Sequence, residues 1–353
     1  MTAAPRIAIA AGGTAGHVVP ALAVAGALQA EGASVTFIGG ERAEAELVPA
    51  AGYELRTIRV AGLDRRNPLR AAHAALLAAR AVLTSIRLLR ELRADAVMGG
   101  GGYVAGPVGL AAVLLRIPLV LTEADSHLGI ANRLLAPFAR RVCLAFPLDG
   151  RSGSRYLVTG RPVPAPSTDV AAARERFGLS PDDAVVLVFG GSLGARSINH
   201  AAVEAFAGAS FRVLHAAGAR DFPSLVAPGP HYDLREYIRD GFGDALLAAD
   251  LVVARSGGSV FEIAAHGRPA ILIPYAAAAA DHQTTNARWM ADAGAAVLIP
   301  DADLTATRLA HETGELLHDR ARLAAMAHAS AALARPNAAR DIATELLAAA
   351  RHR

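Results

Sequence analysis

Short apolar or β-branched runs alternate with longer helical stretches along the first half of the chain. The runs are candidate strands at residues 7–10, 35–38, 96–98, 119–121, 142–145 and 156–158. The stretches between them, such as residues 20–31 and 70–92, have the length and the alanine and leucine content of helices. Strands that alternate with helices in this way are typical of a parallel sheet with helices on both faces.

A proline-rich segment ends this series, and a second series then begins. Residues 160–166 read Gly-Arg-Pro-Val-Pro-Ala-Pro, which is typical of a linker. Further candidate strands follow at residues 185–189, 211–216, 251–254, 270–273 and 296–299, and the tail from residue 317 is helical apart from a break at Pro336. We predict two Rossmann-like, doubly wound α/β domains over residues 1–160 and 171–335, joined by a hinge over 161–170 and followed by a C-terminal helix over 336–353.

Composition excludes several classes of protein. The net charge is only +3 and is carried by arginine without any lysine, so we expect no nucleic-acid partner. Cys143 is the single cysteine, which rules out an internal disulfide. The amino-terminal residues lead directly into a strand-like run, and no stretch of about 20 uncharged apolar residues occurs, so neither a signal peptide nor a spanning helix is expected.

Two glycine-rich loops follow candidate strands of the first domain. Residues 12–17 read Gly-Gly-Thr-Ala-Gly-His, and residues 99–103 read Gly-Gly-Gly-Gly-Tyr, with a helix expected from residue 108. Small residues let a backbone approach an anion closely, and a helix amino terminus adds N–H donors. The spacing fits neither the dinucleotide nor the Walker pattern. His17 is a candidate general base in this position, although purely structural turns are the alternative.

The second domain repeats this layout. Residues 190–195 form a glycine loop after the first strand of the series, which suggests one phosphate-facing site in each domain. After residues 251–254 the next loop begins at Arg255, and Glu262 follows in the first turns of a helix. From spacing alone, Glu262 either complements the helix dipole or accepts hydrogen bonds from a ribose.

A last polar cluster lies at the start of a later helix. Gln283 and Asn286 carry both donors and acceptors, which suits sugar hydroxyls. The alternative is an ordinary helix start with Asp281 as its N-cap.

Taken together and in this order, the loops resemble the MurG family of UDP-N-acetylglucosamine transferases, from about residue 7 to about residue 299. The family motifs GGTGGH, GGYVSGP and GGSQGA correspond to residues 12–17, 101–107 and 190–195. The family's RSGA element with its glutamate corresponds to residues 255–262, and its QxxNA motif to Gln283 and Asn286. The resemblance implies a GT-B fold with two domains facing across a cleft, and an inverting transfer without a metal or another cofactor.

The resemblance also implies a role for each matched residue. His17 would be the general base on the muramyl 4-hydroxyl, with Glu123 or Asp125 assisting, and Asp125 is an alternative base. The acceptor diphosphate would lie near Gly13, Tyr103 and Arg161. Donor-binding residues would be Thr14, Ala15, Gly16, His17, Asn132, Ser192, Arg255, Glu262, Gln283 and Asn286.

The departures from the family fall mainly on the acceptor side. In the family's HEQNxxxGLxN stretch, Glu123, Gly129 and Asn132 match, whereas residues 122, 124 and 125 differ. In the second domain, Leu193 replaces a glutamine that contacts the nucleotide in the family. Three alternatives therefore stay open: a GT-B glycosyltransferase with another acceptor, an enzyme like UDP-N-acetylglucosamine 2-epimerase, and a non-catalytic sugar-nucleotide-binding module.

The implied partners are UDP-N-acetylglucosamine, lipid I and the anionic inner leaflet, which places the protein peripherally on the cytoplasmic face of the cell membrane. The family's docking region corresponds to about residues 63–93. Basic residues lie next to an apolar helix face there: Arg65, Arg66, Arg70, Leu76, Leu77, Val82, Leu83, Ile86, Arg87, Leu88, Leu89 and Arg90. Such a helix suits a membrane interface, and the alternative is an amphipathic helix packed on the sheet.

Overall fold

The computed structural model describes residues 4–60, 68–191, 194–275 and 281–351. The chain divides into two compact units. The first unit combines Met1–Pro164 with Arg335–Arg353, and the second comprises Ala165–Ala334. The C-terminal helix therefore belongs with the first unit, a placement that the sequence did not indicate.

The first unit contains a seven-stranded parallel sheet. Its strands are β1 (Arg6–Ala10), β2 (Ser34–Gly39), β3 (Glu54–Thr57), β4 (Ala96–Gly99), β5 (Leu119–Glu123), β6 (Arg141–Leu144) and β7 (Tyr156–Val158). They lie in the order β3-β2-β1-β4-β5-β6-β7. The edge strand β3 was not predicted, because three of its four residues are exposed and it has no apolar run.

Helices cover both faces of this sheet. They are α1 (Ala15–Ala30), α2 (Ala43–Ala50), α3 (Pro68–Glu91), α4 (Ala105–Leu114), α5 (Ile130–Leu135) and, at the end of the chain, α13 (Ala338–Ala350). Along β1, Ile7 and Ile9 pack on the face covered by α1 and α13, and Ala8 and Ala10 pack on the opposite face. The alternation along a single strand thus builds two core layers.

Helix α1 begins at Ala15, five residues before the predicted start at Pro20. The prediction was wrong because it placed Pro20 near the start of the helix, where a proline is best tolerated. Pro20 lies inside the helix and has no N–H to donate to the carbonyl of Gly16. His17 therefore lies in the first turn of α1 rather than in the preceding loop.

The second unit contains a six-stranded parallel sheet with the order β10-β9-β8-β11-β12-β13. Its strands are β8 (Val185–Phe189), β9 (Arg212–Ala216), β10 (Tyr232–Arg235), β11 (Leu251–Ala254), β12 (Ala270–Leu272) and β13 (Ala296–Leu298). Its helices are α6 (Val170–Arg176), α7 (Arg196–Ala205), α8 (Phe242–Ala248), α9 (Val260–Ala265), α10 (His282–Asp292), α11 (Ala306–His318) and α12 (Arg320–Ala332). Strand β10, which was not predicted, lies at a sheet edge and alternates apolar with charged residues.

The order of the strands reverses direction next to the first strand of each sheet. In the first unit β1 pairs with β4, and in the second β8 pairs with β11. Loops that leave such a pair diverge and form a crevice beyond the carboxyl ends of the strands, where ligands bind in open α/β sheets. The glycine-rich loops at residues 12–17, 99–103 and 190–195 and the loop that begins at Arg255 all follow these strands. Within the described residues, no helix is both long and apolar enough to cross a bilayer.

Candidate functional site

His17 lies at the crevice of the first unit. The Thr14 hydroxyl is 3.2 Å from Nδ1 of His17. When Nδ1 carries the ring proton and donates it to this hydroxyl, Nε2 is the nitrogen that accepts a transferred proton. Burial lowers the pKa of His17, and the positive charge of Arg161 lowers it further, while Asp125 and Glu44 oppose the shift. The imidazole is therefore neutral near pH 7, the form in which it can accept a proton.

The loop after β4 packs directly against this imidazole. A Cβ at position 101 would lie 2.6 Å from Cδ2 of His17, and the backbone there has a φ of +93°. Only glycine meets both requirements without strain. The glycine run after β4 therefore makes room for His17.

Glu44 is a functional candidate that the sequence did not reveal. Its side chain is completely buried at the start of α2. The carboxylate accepts hydrogen bonds from the N–H groups of Gly13 and Gly40, both at 2.8 Å, and from the Tyr103 hydroxyl at 3.0 Å. Although burial acts to raise the pKa of Glu44, these hydrogen bonds lower it, so the group is ionised. Glu44 thus joins the loops after β1, β2 and β4.

Glu123 and Asn132 hold the loop after β5. The Glu123 carboxylate accepts from the Gly129 N–H at 2.8 Å, from Nδ2 of Asn132 at 2.9 Å and from the Asp125 N–H at 3.2 Å. Burial raises the pKa of Glu123 in spite of these bonds. Of the two carboxylates that were expected to assist His17, Asp125 is the one whose charge raises the pKa of the imidazole.

Arg161 contacts the residue before His17 and lies close enough to act on its charge. Its Nη2 donates a 2.6 Å hydrogen bond to the carbonyl of Gly16. Gly16, His17, Glu123 and Arg161 line one cavity in the first unit. The structure therefore brings three of the six predicted catalytic and acceptor-side residues to one cavity: His17, Glu123 and Arg161.

In the second unit, the glycine loop after β8 leads into α7. Ser192 and Leu193 lie outside the described residues. Behind the loop, Asn199 on α7 donates from Nδ2 to the Ala217 carbonyl at 2.9 Å and to Asp221 at 3.1 Å. His215 bonds to Oδ1 of Asn199 at 3.0 Å and to the Tyr232 hydroxyl at 2.7 Å. A buried polar network thus fixes the start of α7.

The Arg255 guanidinium forms hydrogen bonds to other groups of the protein. It is 9% exposed, and Nη1 donates to Asp301 at 2.7 Å and to the carbonyls of Ile273 and Pro274 at 3.1 Å. Its Nη2 donates to Ser197 at 2.8 Å. The side chain therefore fastens the loop after β12 to α7.

Glu262 lies on α9, which follows β11, and Gln283 and Asn286 lie on α10, which follows β12. Glu262 is half-buried in the first turn of α9. Gln283 accepts the Tyr275 N–H through Oε1 at 3.0 Å, and the buried Asn286 donates to the Ser256 carbonyl at 3.0 Å. These contacts fix α10 against the loops after β11 and β12.

The predicted cap of α10 has an unexpected form. Asp281 occupies the N-cap position with a φ of +53°, and its carboxylate accepts the Thr284 hydroxyl at 2.6 Å instead of a backbone N–H. The helix therefore begins at a residue with an unusual backbone conformation.

Both halves of the chain match one enzyme family. Residues 7–144 match the glycosyltransferase family 28 N-terminal domain, and residues 185–345 match the glycosyltransferase family 28 C-terminal domain. Two relatives are named UDP-N-acetylglucosamine--N-acetylmuramyl-(pentapeptide) pyrophosphoryl-undecaprenol N-acetylglucosamine transferase. The one from Moorella thermoacetica is 40% identical and covers 97% of this chain and 98% of its own, and the one from Rubrobacter xylanophilus is 43% identical with 93% and 99% covered.

Comparison with solved structures leads to the same family. The crystal structure of Acinetobacter baumannii MurG matches with a TM-score of 0.80 and 30% identity, covering 98% of this chain and 100% of that one. A UDP-GlcNAc 2-epimerase from Neisseria meningitidis matches with a TM-score of 0.68 at 13% identity, over 97% of this chain and 100% of that one, and so shares the fold alone. The chain belongs to the MurG family within glycosyltransferase family 28, and it is a glycosyltransferase with the GT-B fold.

Proposed function

We propose that this enzyme transfers N-acetylglucosamine from UDP-N-acetylglucosamine to the 4-hydroxyl of undecaprenyl-diphospho-N-acetylmuramoyl-pentapeptide, which converts lipid I to lipid II. The names of the relatives support the two substrates. The observation that carries the chemistry is the position of His17 in the first turn of α1, where burial lowers the pKa of its imidazole and the charges of Asp125 and Arg161 act on it.

The reaction needs one displacement at the anomeric carbon of the donor sugar. Nε2 of His17 takes the proton of the acceptor hydroxyl, while the oxygen of that hydroxyl forms the new glycosidic bond to the anomeric carbon. The bond between the anomeric carbon and the UDP oxygen breaks, and UDP leaves with the electron pair. Attack from the face opposite UDP inverts the configuration. Backbone N–H groups and the amino terminus of α7 stabilise the negative charge of the leaving diphosphate.

We assign the acceptor to the first unit and the donor to the second. In this assignment Glu262 accepts hydrogen bonds from the ribose hydroxyls, Ser192 binds a donor phosphate and Gln283 binds the sugar hydroxyls. The buried Asn286 supports the sugar site indirectly, since its amide is bound to the Ser256 carbonyl. The half-buried position of Glu262 in the first turn of α9 supports its part. Arg255 acts indirectly, since its guanidinium is bound to Asp301 and to the loop after β12.

The test pairs two donors with a short-chain lipid I analogue. UDP-N-acetylglucosamine is compared with UDP-N-acetylgalactosamine, which differs only in the orientation of the 4-hydroxyl. We expect transfer from the first at least about tenfold faster, since a site that bonds a hydroxyl rejects its displaced form. An enzyme that ignores lipid I but glycosylates a soluble acceptor would indicate the alternative that the departures at residues 122–125 leave open.

An apolar patch on the first unit supports binding at the membrane surface. Six large side chains on α3, α4, α5 and the turn after α5 are 42–68% exposed: Leu83, Leu110, Leu114, Ile130, Leu134 and Phe138. Exposed arginines accompany them at positions 80, 87, 90, 116, 133 and 140. Basic groups around exposed apolar side chains favour docking on an anionic leaflet.

This patch corrects the sequence-based expectation for α3. Val82, Ile86, Leu88 and Leu89 pack against the core, so of the apolar residues expected to face the membrane only Leu83 is exposed among those described. Leu63, Arg65 and Arg66, and the side chains of Arg70 and Leu76, lie outside the described residues. Five of the six side chains of the apolar patch come instead from α4, α5 and the turn after α5.

Co-sedimentation with vesicles tests the docking. Leu114→Glu should reduce binding to anionic vesicles about tenfold, because it places a negative charge in the apolar patch. Val226→Glu is the matched control, since Val226 is 78% exposed in the second unit. Binding that ignores both the lipid charge and Leu114→Glu would contradict the proposal.

A further inference from the structure

The loop after β1 is built around the charge of Glu44. The helix α2 carries two glutamates two residues apart, and only Glu44 is buried, whereas Glu46 is exposed. Three donors from three different loops converge on the Glu44 carboxylate: the N–H of Gly13, the N–H of Gly40 and the hydroxyl of Tyr103. An arrangement of this kind is what a protein usually presents to a bound anion.

The surrounding glycines follow from this carboxylate. A Cβ at Gly12 would lie 2.5 Å from Oε1 of Glu44, and a Cβ at Gly39 would lie 2.8 Å from its Cγ. A Cβ at Gly40 would overlap the Tyr103 hydroxyl oxygen. Glycines in two separate segments therefore let the backbone close around one side chain.

This occupancy bears on where the acceptor diphosphate can bind. An anion at the Gly13 N–H would have to displace Glu44 or lie against its buried negative charge, and like charges at short range are strongly unfavourable. The Tyr103 hydroxyl donates its hydrogen bond to the same carboxylate. The donors of Gly13 and Tyr103, which the sequence assigned to the acceptor diphosphate, are therefore already used.

We propose that Glu44 is a positioning residue that acts as an internal anion, fixing Gly13 and Tyr103 so that the turn at Thr14 presents His17 to the acceptor. Gly13 and Tyr103 then support the turn and do not bind the diphosphate themselves. The inference rests on the proposed function, because it takes His17 as the base for the acceptor hydroxyl.

The charge of Glu44 also reaches His17. Asp125 and Glu44 raise the pKa of the imidazole, whereas burial and Arg161 lower it. Neutralising Glu44 removes one of the two negative charges. The pKa of His17 should then fall, which moves the acid limb of the pH profile for kcat/KM to lower pH.

The test compares Glu44→Gln with Glu46→Gln, the same change at the exposed site on the same helix. A glutamine at position 44 keeps the shape but turns an NH₂ group toward at least one of the three donors. We expect kcat/KM for the lipid I analogue to fall about tenfold or more, with the KM for UDP-N-acetylglucosamine unchanged and the acid limb displaced. Glu46→Gln should have the wild-type values of kcat/KM for the lipid I analogue, of the KM for UDP-N-acetylglucosamine and of the pH of the acid limb.

A double-mutant cycle separates positioning from direct contact. If the Tyr103 hydroxyl acts through Glu44, the double variant Glu44→Gln/Tyr103→Phe loses no more activity than Glu44→Gln alone. If the hydroxyl binds the diphosphate, the two losses multiply, and the proposal is overturned. The proposal would also be overturned if Glu44→Gln lost as much affinity for UDP-N-acetylglucosamine as it lost in kcat/KM for the lipid I analogue. It would likewise be overturned if Glu44→Gln lost no activity.

NMR titration of His17 provides a readout that does not need turnover. The pKa of the imidazole should be lower in Glu44→Gln than in Glu46→Gln, and a variant that is merely less stable would leave it in place. An unchanged pKa contradicts the charge coupling. A wild-type enzyme that fails to glycosylate lipid I, with the pKa displaced as expected, would instead refute the proposed function.

Discussion

Arg161 donates to the carbonyl of Gly16, the group that Pro20 leaves without its helical partner. In a regular helix the N–H four residues later would bond this carbonyl, and proline has none. Nη2 of Arg161 replaces the missing donor, at 2.6 Å from the Gly16 carbonyl oxygen. The charge of the guanidinium also lowers the pKa of the adjacent His17. A single arginine from the predicted hinge thus completes α1 and tunes the proposed base.

Replacing Arg161 should therefore change the pH dependence of transfer. Arg161→Ala removes a positive charge that disfavours the imidazolium, so the pKa of His17 rises and the acid limb of kcat/KM moves to higher pH. The Gly16 carbonyl also loses its donor, which should lower kcat severalfold. Rate profiles between pH 5 and pH 9, with Arg59→Ala at an exposed position of the same unit as control, measure both effects. An acid limb at the same pH in both variants would contradict the coupling.

Glu262→Ala should weaken donor binding without preventing the chemistry. Two lost hydrogen bonds to a carboxylate correspond to at least about a tenfold loss of affinity for UDP-N-acetylglucosamine. At saturating donor, kcat should change little. Calorimetric titration with UDP measures the effect, and Glu315→Ala, exposed in the same unit, provides the matched control. Unchanged UDP affinity in Glu262→Ala would remove the ribose role.

The buried His215 should make the second unit sensitive to acid. Burial lowers its pKa to about 4, while an unfolded chain has a histidine pKa of about 6.5. Protons therefore bind the unfolded state first, and stability is lost as the pH falls from about 6.5 toward 4. At pH 5 this residue alone should cost about 2 kcal/mol relative to pH 7.

Urea unfolding followed by tryptophan fluorescence measures this loss, because the single tryptophan, Trp289, lies on α10 of the second unit. The decrease in stability between pH 7 and pH 5 should be about 2 kcal/mol smaller in His215→Gln than in His311→Gln, which changes an exposed histidine. Equal decreases in the two variants would show that His215 is not the sensitive group.

The sequence predicted the buried strands well and the edges poorly. Strands such as β1 and β8 are continuous apolar runs because helices cover both faces of a parallel sheet. The edge strands β3 and β10 contain charged residues, which are exposed in β3 and half-buried in β10, so their composition resembles that of loops. The packing of α13 on the first unit also went unpredicted, because a return across the whole second unit leaves no local pattern.

The candidate site shows the same division. His17, Tyr103 and Glu262 could be proposed from the sequence because they stand next to glycine-rich loops. Glu44 was not, because the same short segment also contains Glu41 and Glu46, and burial depends on contacts with distant loops. The one local sign was the pair Gly39 and Gly40 just before α2, which allows a close approach that the sequence alone cannot assign.

The most direct measurement is the rate of transfer of labelled N-acetylglucosamine to a short-chain lipid I analogue by the wild-type enzyme and by His17→Ala. The account predicts transfer by the wild type, a kcat lower by about a hundredfold or more in the variant, and nearly unchanged affinity for UDP-N-acetylglucosamine. A wild type without activity toward lipid I, or a variant with near-normal turnover, would contradict it.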